Sequence, residues 1–166
     1  AGTTEFTVKV VDSNSPPLSA ADSFTLMVNA TSLGRNDAIA DATPVGNGTF
    51  AASISPSGDP ASLVDPDEDF YAITTTAEST VTIDINAVLS GSPLDSVIEL
   101  VDGSGTQFTT CVAPDFTSPC VNDDEDLDNG VLDSLLQARF TANTTFYVHV
   151  VDFGSNARPD LVYDLV

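Results

Sequence analysis

Apolar residues recur at every second position along this chain, and helical spacing is almost absent. Phe6, Val8 and Val10 alternate with polar neighbours, as do Phe24, Leu26 and Val28. The same pattern runs through Phe146, Val148 and Val150. A period of two places successive side chains on opposite faces of a strand, so each stretch can cover one side of a sheet. The alternation predicts strands over 5–11, 23–29, 50–55, 70–76, 80–86, 96–101, 107–110, 134–140, 145–151 and 161–166. Turn signals separate them. Asp102-Gly-Ser-Gly105 fits a hairpin, because glycine takes positive φ without a steric penalty, and Asp12-Ser-Asn-Ser-Pro-Pro-Leu-Ser19 is a longer connection. Many short strands divided by turns predict an all-β fold, an antiparallel β-sandwich preceded by a β-hairpin. Only Arg35 to Ala42 fits one helical turn, with Asn36 or Asp37 as its cap.

The pattern divides the chain into a hairpin over 1–30, a connector over 31–48 and a sandwich over 49–166. At 166 residues there is material for one good core. A lone two-stranded hairpin is marginal in water, so its apolar face needs a cover. That makes Phe6, Val8, Val10, Phe24, Leu26 and Val28 candidates for assembly, by strand addition to a neighbouring copy or domain.

Charge narrows the partners. A formal net charge of −21 with four basic residues argues against nucleic acid, which is bound through clustered cations. Anionic membrane surfaces are disfavoured for the same reason. No apolar run is long enough to insert in a bilayer, and no signal peptide is visible, so the expectation is a mature or excised piece. Partners are then other proteins: neighbouring domains or copies of itself. Cys111 and Cys120 are the only cysteines, without a CxxC spacing. A local disulfide that pins a loop without supporting the core is the simplest reading, and two free thiols the alternative. Asn29, Asn47 and Asn143 begin glycosylation-type sequons. Together these point to a secreted, extracellular or cell-surface protein.

Catalysis has little to stand on. His149 is the single histidine, placed by alternation on the face opposite Phe146, Val148 and Val150. Neither a G-x-S-x-G elbow nor an H-E-x-x-H motif occurs. No catalytic residue is assigned, and no enzymatic activity is expected. Calcium is a better use for the carboxylates, because it accepts six to eight oxygen ligands from irregular acidic loops. One candidate cluster is Asn122, Asp123, Asp124, Asp126 and Asp128, with Asp95 and Asp133 on neighbouring strands. The other is Asp65, Asp67 and Asp69, with Asn36 and Asp37 from the connector. Solvated turns are the competing reading of both.

The run from Asp69 to Ile85, the run Ser92-Pro-Leu-Asp-Ser-Val-Ile-Glu-Leu-Val-Asp-Gly-Ser-Gly-Thr106 and Asn122-Asp-Asp occur in order. Asp133-Ser-Leu-Leu, the stretch from Thr144 to Asp152 and a late Tyr163 follow them. Over about 33–166 this series resembles the bacterial pre-peptidase C-terminal domain. Thr3 to Asn29 resembles the last two strands of a cadherin-like or immunoglobulin-like repeat. The first resemblance implies a jelly-roll-like sandwich appended to secreted proteases or surface proteins. Related collagen-binding domains of clostridial collagenases bind calcium and fibrous substrate, which implies the cluster of Asp65, Asp67 and Asp69. The chain departs from the family in two places. The short Gly-Asp-x-Asp-x-Phe approach is stretched here from Gly58 to Asp69, and the Cys111–Cys120 loop with its acidic run is enlarged. The reading is therefore a non-catalytic, calcium-stabilised structural or adhesive module of a surface protein or filament, with an accessory substrate-binding domain of a secreted protease as the alternative.

Overall fold

A computed structural model describes residues 2–11, 13, 18–28, 36–55, 67–109, 111, 120–126, 128, 130–158 and 160–166. The chain forms two compact units, 1–33 and 34–166. In the first, β1 (Gly2–Val11) and β2 (Ser19–Val28) make an antiparallel two-stranded sheet. Its register runs from Gly2 opposite Val28 to Val11 opposite Ser19 and sets Phe6 against Phe24. The ladder is longer than the alternation of apolar residues indicates. It takes in polar residues on the apolar rows, Thr4 opposite Leu26 and Asp22 opposite Val8.

The second unit is a sandwich of two sheets. One has the order β3-β5-β10-β7-β8, built from Thr43–Pro44, Asp69–Thr75, Thr144–Asp152, Ser96–Val101 and Val121–Asn122. The other has the order β4-β11-β6-β9, built from Phe50–Ser53, Val162–Leu165, Ser79–Asn86 and Leu135–Phe140. Alternation works as expected in β10, where Phe146, Val148 and Val150 are fully buried and Tyr147, His149 and Val151 are only half-buried. The inward rows of both sheets meet in one core of Tyr71, Ile83, Ile85, Ile98, Leu100, Leu136 and Tyr163. Phe140 of β9 stacks on Phe146 of β10 across the gap, with ring centroids 3.9 Å apart.

Several expectations are corrected. The sandwich is not purely antiparallel: β3 runs parallel to β5, with Thr43 opposite Tyr71. Of the strand expected over 107–110, the described residues 107–109 form none; Gln107 makes an isolated bridge with Val101. Phe108 N–H then bonds Leu100 O at 2.9 Å and Cys120 N–H bonds Phe108 O at 2.8 Å, so the edge of β7 passes to β8 after the disulfide loop. Cys111 and Cys120 are bonded, with Cα atoms 5.3 Å apart. Both are buried, so the bridge belongs to the margin of the core and not to a loop alone. The short helix is a 3-10 turn at Ile39–Asp41 capped by Ala38 without a side-chain bond. Asn36 is not the cap; its amide donates to the Phe70 carbonyl instead.

The hairpin turn after β7 forms as expected. Asp102 Oδ1 accepts from Ser104 N–H at 2.8 Å and Thr106 N–H at 3.0 Å, and Gly105 takes φ 81°. Bonds from Ser104 and Thr106 hold the Asp102 carboxyl below its usual range.

Candidate functional site

Asp69 opens β5 with its side chain turned inward between the sheets, two residues before Tyr71 on the same face. Tyr163 O–H of β11 donates to Asp69 Oδ2 at 2.5 Å. The Tyr71 and Tyr163 hydroxyls are 2.7 Å apart. Since Tyr163 gives its proton to Asp69, Tyr71 donates to Tyr163, and a two-step chain of hydrogen bonds ties one sheet to the other. Burial pushes the Asp69 carboxyl up to about 7; the Tyr163 bond pulls it down, the Asp67 charge raises it, the Asn36 side chain lowers it and Asp37 raises it. Burial also raises both tyrosines, with the Asp69 charge adding to it.

Four of the five residues of the cluster of Asp65, Asp67 and Asp69 with Asn36 and Asp37 therefore do come together, around Asp69. They are not idle. Asn36 is buried, its Nδ2 donates to Phe70 O at 3.1 Å and its own carbonyl accepts from Phe70 N–H at 2.8 Å. Asp67 Oδ2 accepts from Ser55 N–H at 2.7 Å. Asp65 lies outside the described residues. Strand alternation, which reports only the face a side chain takes, does not reveal the hydroxyl chain through Tyr71 and Tyr163. The spacing of Asp69 and Tyr71 carried half of that signal.

The cluster of Asn122, Asp123 and Asp124 with Asp95 and Asp133 lies at the end of the sandwich where β7 and β9 begin. Asp133 is buried and caps a 3-10 turn at Val88–Ser90: Oδ1 accepts from Ala87 N–H at 3.1 Å and Val88 N–H at 3.2 Å. Asn122 Oδ1 accepts from Leu135 N–H, and its Nδ2 donates to Asp124 O, both at 2.9 Å. Asp95 is raised by burial first, then by the charges of Asp124, Asp152 and Asp123. Asp152, not among the candidate ligands, is buried at the end of β10. Its Oδ2 takes Asn156 N–H at 3.0 Å and Nδ2 at 2.7 Å. Asp124 Oδ1 is buried and has no hydrogen-bond partner. Asp126 and Asp128 are exposed. Among the described residues no three His, Cys, Asp or Glu side chains are drawn together closely enough to hold a metal.

His149 sits on the outer face of the five-stranded sheet, as alternation predicts. It is only 18% exposed there. Its ring stacks on Phe70 with centroids 4.3 Å apart and planes 6° from parallel. Nε2 lies 3.0 Å from Glu68 Oε2, and Nδ1 lies 3.2 Å from Glu99 Oε2. These bonds join the ring to carboxylates on both sides, and no hydroxyl or thiol takes part in them.

Of the sequons, Asn47 and Asn143 are exposed, and Asn143 takes φ 59° in the turn before β10. Asn29 lies outside the described residues, as do the side chains of Phe6, Val8, Val10, Phe24, Leu26 and Val28. No helix among the described residues is long and apolar enough to cross a membrane.

No protein-family model matches the chain, and no curated protein does. Among solved structures there is a likeness. The chain is similar to a pre-peptidase C-terminal domain. That structure is the pre-peptidase C-terminal domain of collagenase from Bacillus anthracis, at 17% identity, covering 75% of this chain and 91% of that chain with a TM-score of 0.43. It is of the family that the motifs over 33–166 resemble. The resemblance of residues 3–29 to a cadherin-like or immunoglobulin-like repeat rests on the sequence.

Proposed function

We propose that the chain is a non-catalytic β-sandwich module of a multidomain secreted or cell-surface protein, structural or adhesive in role. One observation carries the reading: polar groups buried between the sheets are paired with each other or with backbone. Asp69 is tied to Tyr163 and Tyr71, and the Ser96 and Ser134 hydroxyls meet at 2.9 Å. Asp133 is held by two backbone N–H groups. Active sites place perturbed groups where a substrate can reach them. Here the perturbed group closest to neutrality fastens two sheets. A panel of peptide, ester and glycoside substrates is expected to give no turnover. Turnover abolished by substituting Asp95, Asp133 or His149 overturns the reading.

Calcium stabilisation belongs to the same proposal. Its support is the crowding of Asp95, Asp123, Asp124 and Asp152, together with the unpartnered Asp124 Oδ1. A divalent cation relieves the repulsion and satisfies that oxygen. The described carboxylates do not by themselves close a site, so binding has to draw the acidic loop inward or recruit carbonyls and water. Association through the β1–β2 hairpin is the matching proposal for assembly. Its support is the two-stranded sheet, in which each strand pairs only with the other among the described residues. Subunits joined head to tail by strand addition would form an open filament. Light scattering should show an assembly that deletion of residues 1–30 dissolves; a monodisperse full-length monomer would sink the filament. A second reading, an accessory domain of a secreted protease that engages fibrous substrate, takes its support from the resemblance over 33–166.

A further inference from the structure

We propose that Glu68, His149 and Glu99 form a proton-operated latch, closed when the imidazole carries both protons and open on the Glu68 side when it carries one. The proposal is independent of the role assigned above. Each ring nitrogen of His149 faces its own carboxylate oxygen, Nε2 at 3.0 Å from Glu68 and Nδ1 at 3.2 Å from Glu99. Ionised carboxylates only accept hydrogen bonds, and a neutral imidazole has one N–H and one lone pair. Both contacts are favourable together only in the imidazolium. Loss of one proton sets a lone pair against a carboxylate oxygen at about hydrogen-bond distance, and one contact must open. Histidine is the side chain whose ordinary titration falls between pH 5 and 8.

The surroundings decide which contact opens. The ring cannot swing freely, because Phe70 stacks against it within 6° of parallel. Glu99 lies inside β7, opposite His149 in one ladder and Val121 in the other. Its second carboxylate oxygen accepts from the Gln107 amide. Glu68 precedes β5 and is 40% exposed, so it is the arm with freedom to leave. The charged groups contacting the ring are thus one from the segment leading into β5 and one from β7, the two strands that flank β10. Next to Glu68, Asp67 holds the Ser55 amide at 2.7 Å, just beyond β4. Opening the latch therefore loosens the tie between the entry to β5 and the end of β4, and links that edge of the sandwich to ambient acidity.

His149 is the only histidine, so its ring protons can be followed by NMR without ambiguity. The test is amide hydrogen exchange at residues 53–55 and 67–70, corrected for intrinsic rates, measured from pH 5 to 8 on the full chain and its variants, all carrying Asp69→Asn so that ionisation of the neighbouring Asp69, at about 7, does not enter the window. Protection is expected to fall about two- to fivefold on raising the pH, the range of a partly exposed ion pair, in a one-proton step coincident with the His149 titration. His149→Gln, which keeps an N–H donor but does not titrate, should be flat. Glu99→Gln should keep the latch closed throughout: its amide donates to the Nδ1 lone pair and leaves Nε2–H for Glu68. A general destabilisation does not produce that second result. Protection that stays constant through the His149 titration, or a step that persists in either variant, overturns the proposal.

Discussion

Replacing Asp69 by Asn tests how much of the sandwich's stability depends on a carboxyl held between its sheets. The Asp69 side chain ionises at about 7 in the folded protein, against 3.8 for an ordinary aspartate. The folded state therefore binds this proton more tightly than the unfolded chain does. Below pH 4 both states hold it, and the site imposes no cost. Between pH 4 and 7 the unfolded chain gives it up while the folded protein keeps it, so this group's contribution to stability declines as pH rises. Above pH 7 both are ionised and the cost levels off at about 4 kcal/mol. Asparagine is close in size, still accepts from Tyr163 O–H and does not titrate. Urea titrations of parent and variant at half-unit steps from pH 4 to 8 provide the difference in unfolding free energy. The variant is expected to gain on the parent progressively through this window and to be the more stable at pH 8 by up to about 4 kcal/mol. It should be equal or slightly weaker at pH 4. Parallel pH profiles for the two proteins would refute the assignment of that burden to Asp69.

Three further outcomes follow from geometry. Substituting Cys111 and Cys120 by serine should cost about 2–3 kcal/mol in the chain-entropy account, read as a shift in the urea midpoint; no shift means the bridge is incidental. Asp133→Ala leaves the Ala87 and Val88 N–H groups at the head of a 3-10 turn without their acceptor. It should cost about 1–3 kcal/mol, against near neutrality for the exposed Asp128→Ala in the same melts. Calcium should raise the melting temperature over a chelator control, since a cation bound only by the folded state at a hundredfold excess over Kd adds about 2.7 kcal/mol. Magnesium should do less, Asp124→Ala should remove the effect, and superimposable melts exclude the site.

What the sequence made legible was local. The alternation over β10 reports faithfully which side chains are buried, because a strand's period is fixed by its backbone. Asp102 and Gly105 announce their turn, since the bonds involved span four residues. The missing pieces depend on partners far along the chain. Tyr71 looks like packing until Tyr163 arrives 92 residues later to receive its proton. Asp133 sits in an acidic run, yet its oxygens serve Ala87 and Val88 on another segment. Thr43–Pro44 is too short for any periodicity, and only the parallel register with β5 makes it a strand. Asn36 has the identity of a helix cap, but the turn begins two residues later with Ala38 in the cap position, and the Asn36 amide donates to the Phe70 carbonyl instead.

The strand order carries a kinetic consequence. In the second unit, successive strands mostly fall in opposite sheets, and β7 with β8 are the sole consecutive pair joined in one ladder among the described residues. Every other ladder brings together segments separated by at least one intervening strand, with Phe50 paired to Leu165 at the extreme. Loops must therefore close before pairing can stabilise them, and their entropy has to be met in advance. Such topologies have high contact order and fold on the order of milliseconds to seconds. The central position of β11, between β4 and β6, adds a strict condition. Until Val162–Leu165 is in place, β4 has no neighbour and Tyr163 cannot reach Asp69. During synthesis the four-stranded sheet thus remains open until β11 has been made.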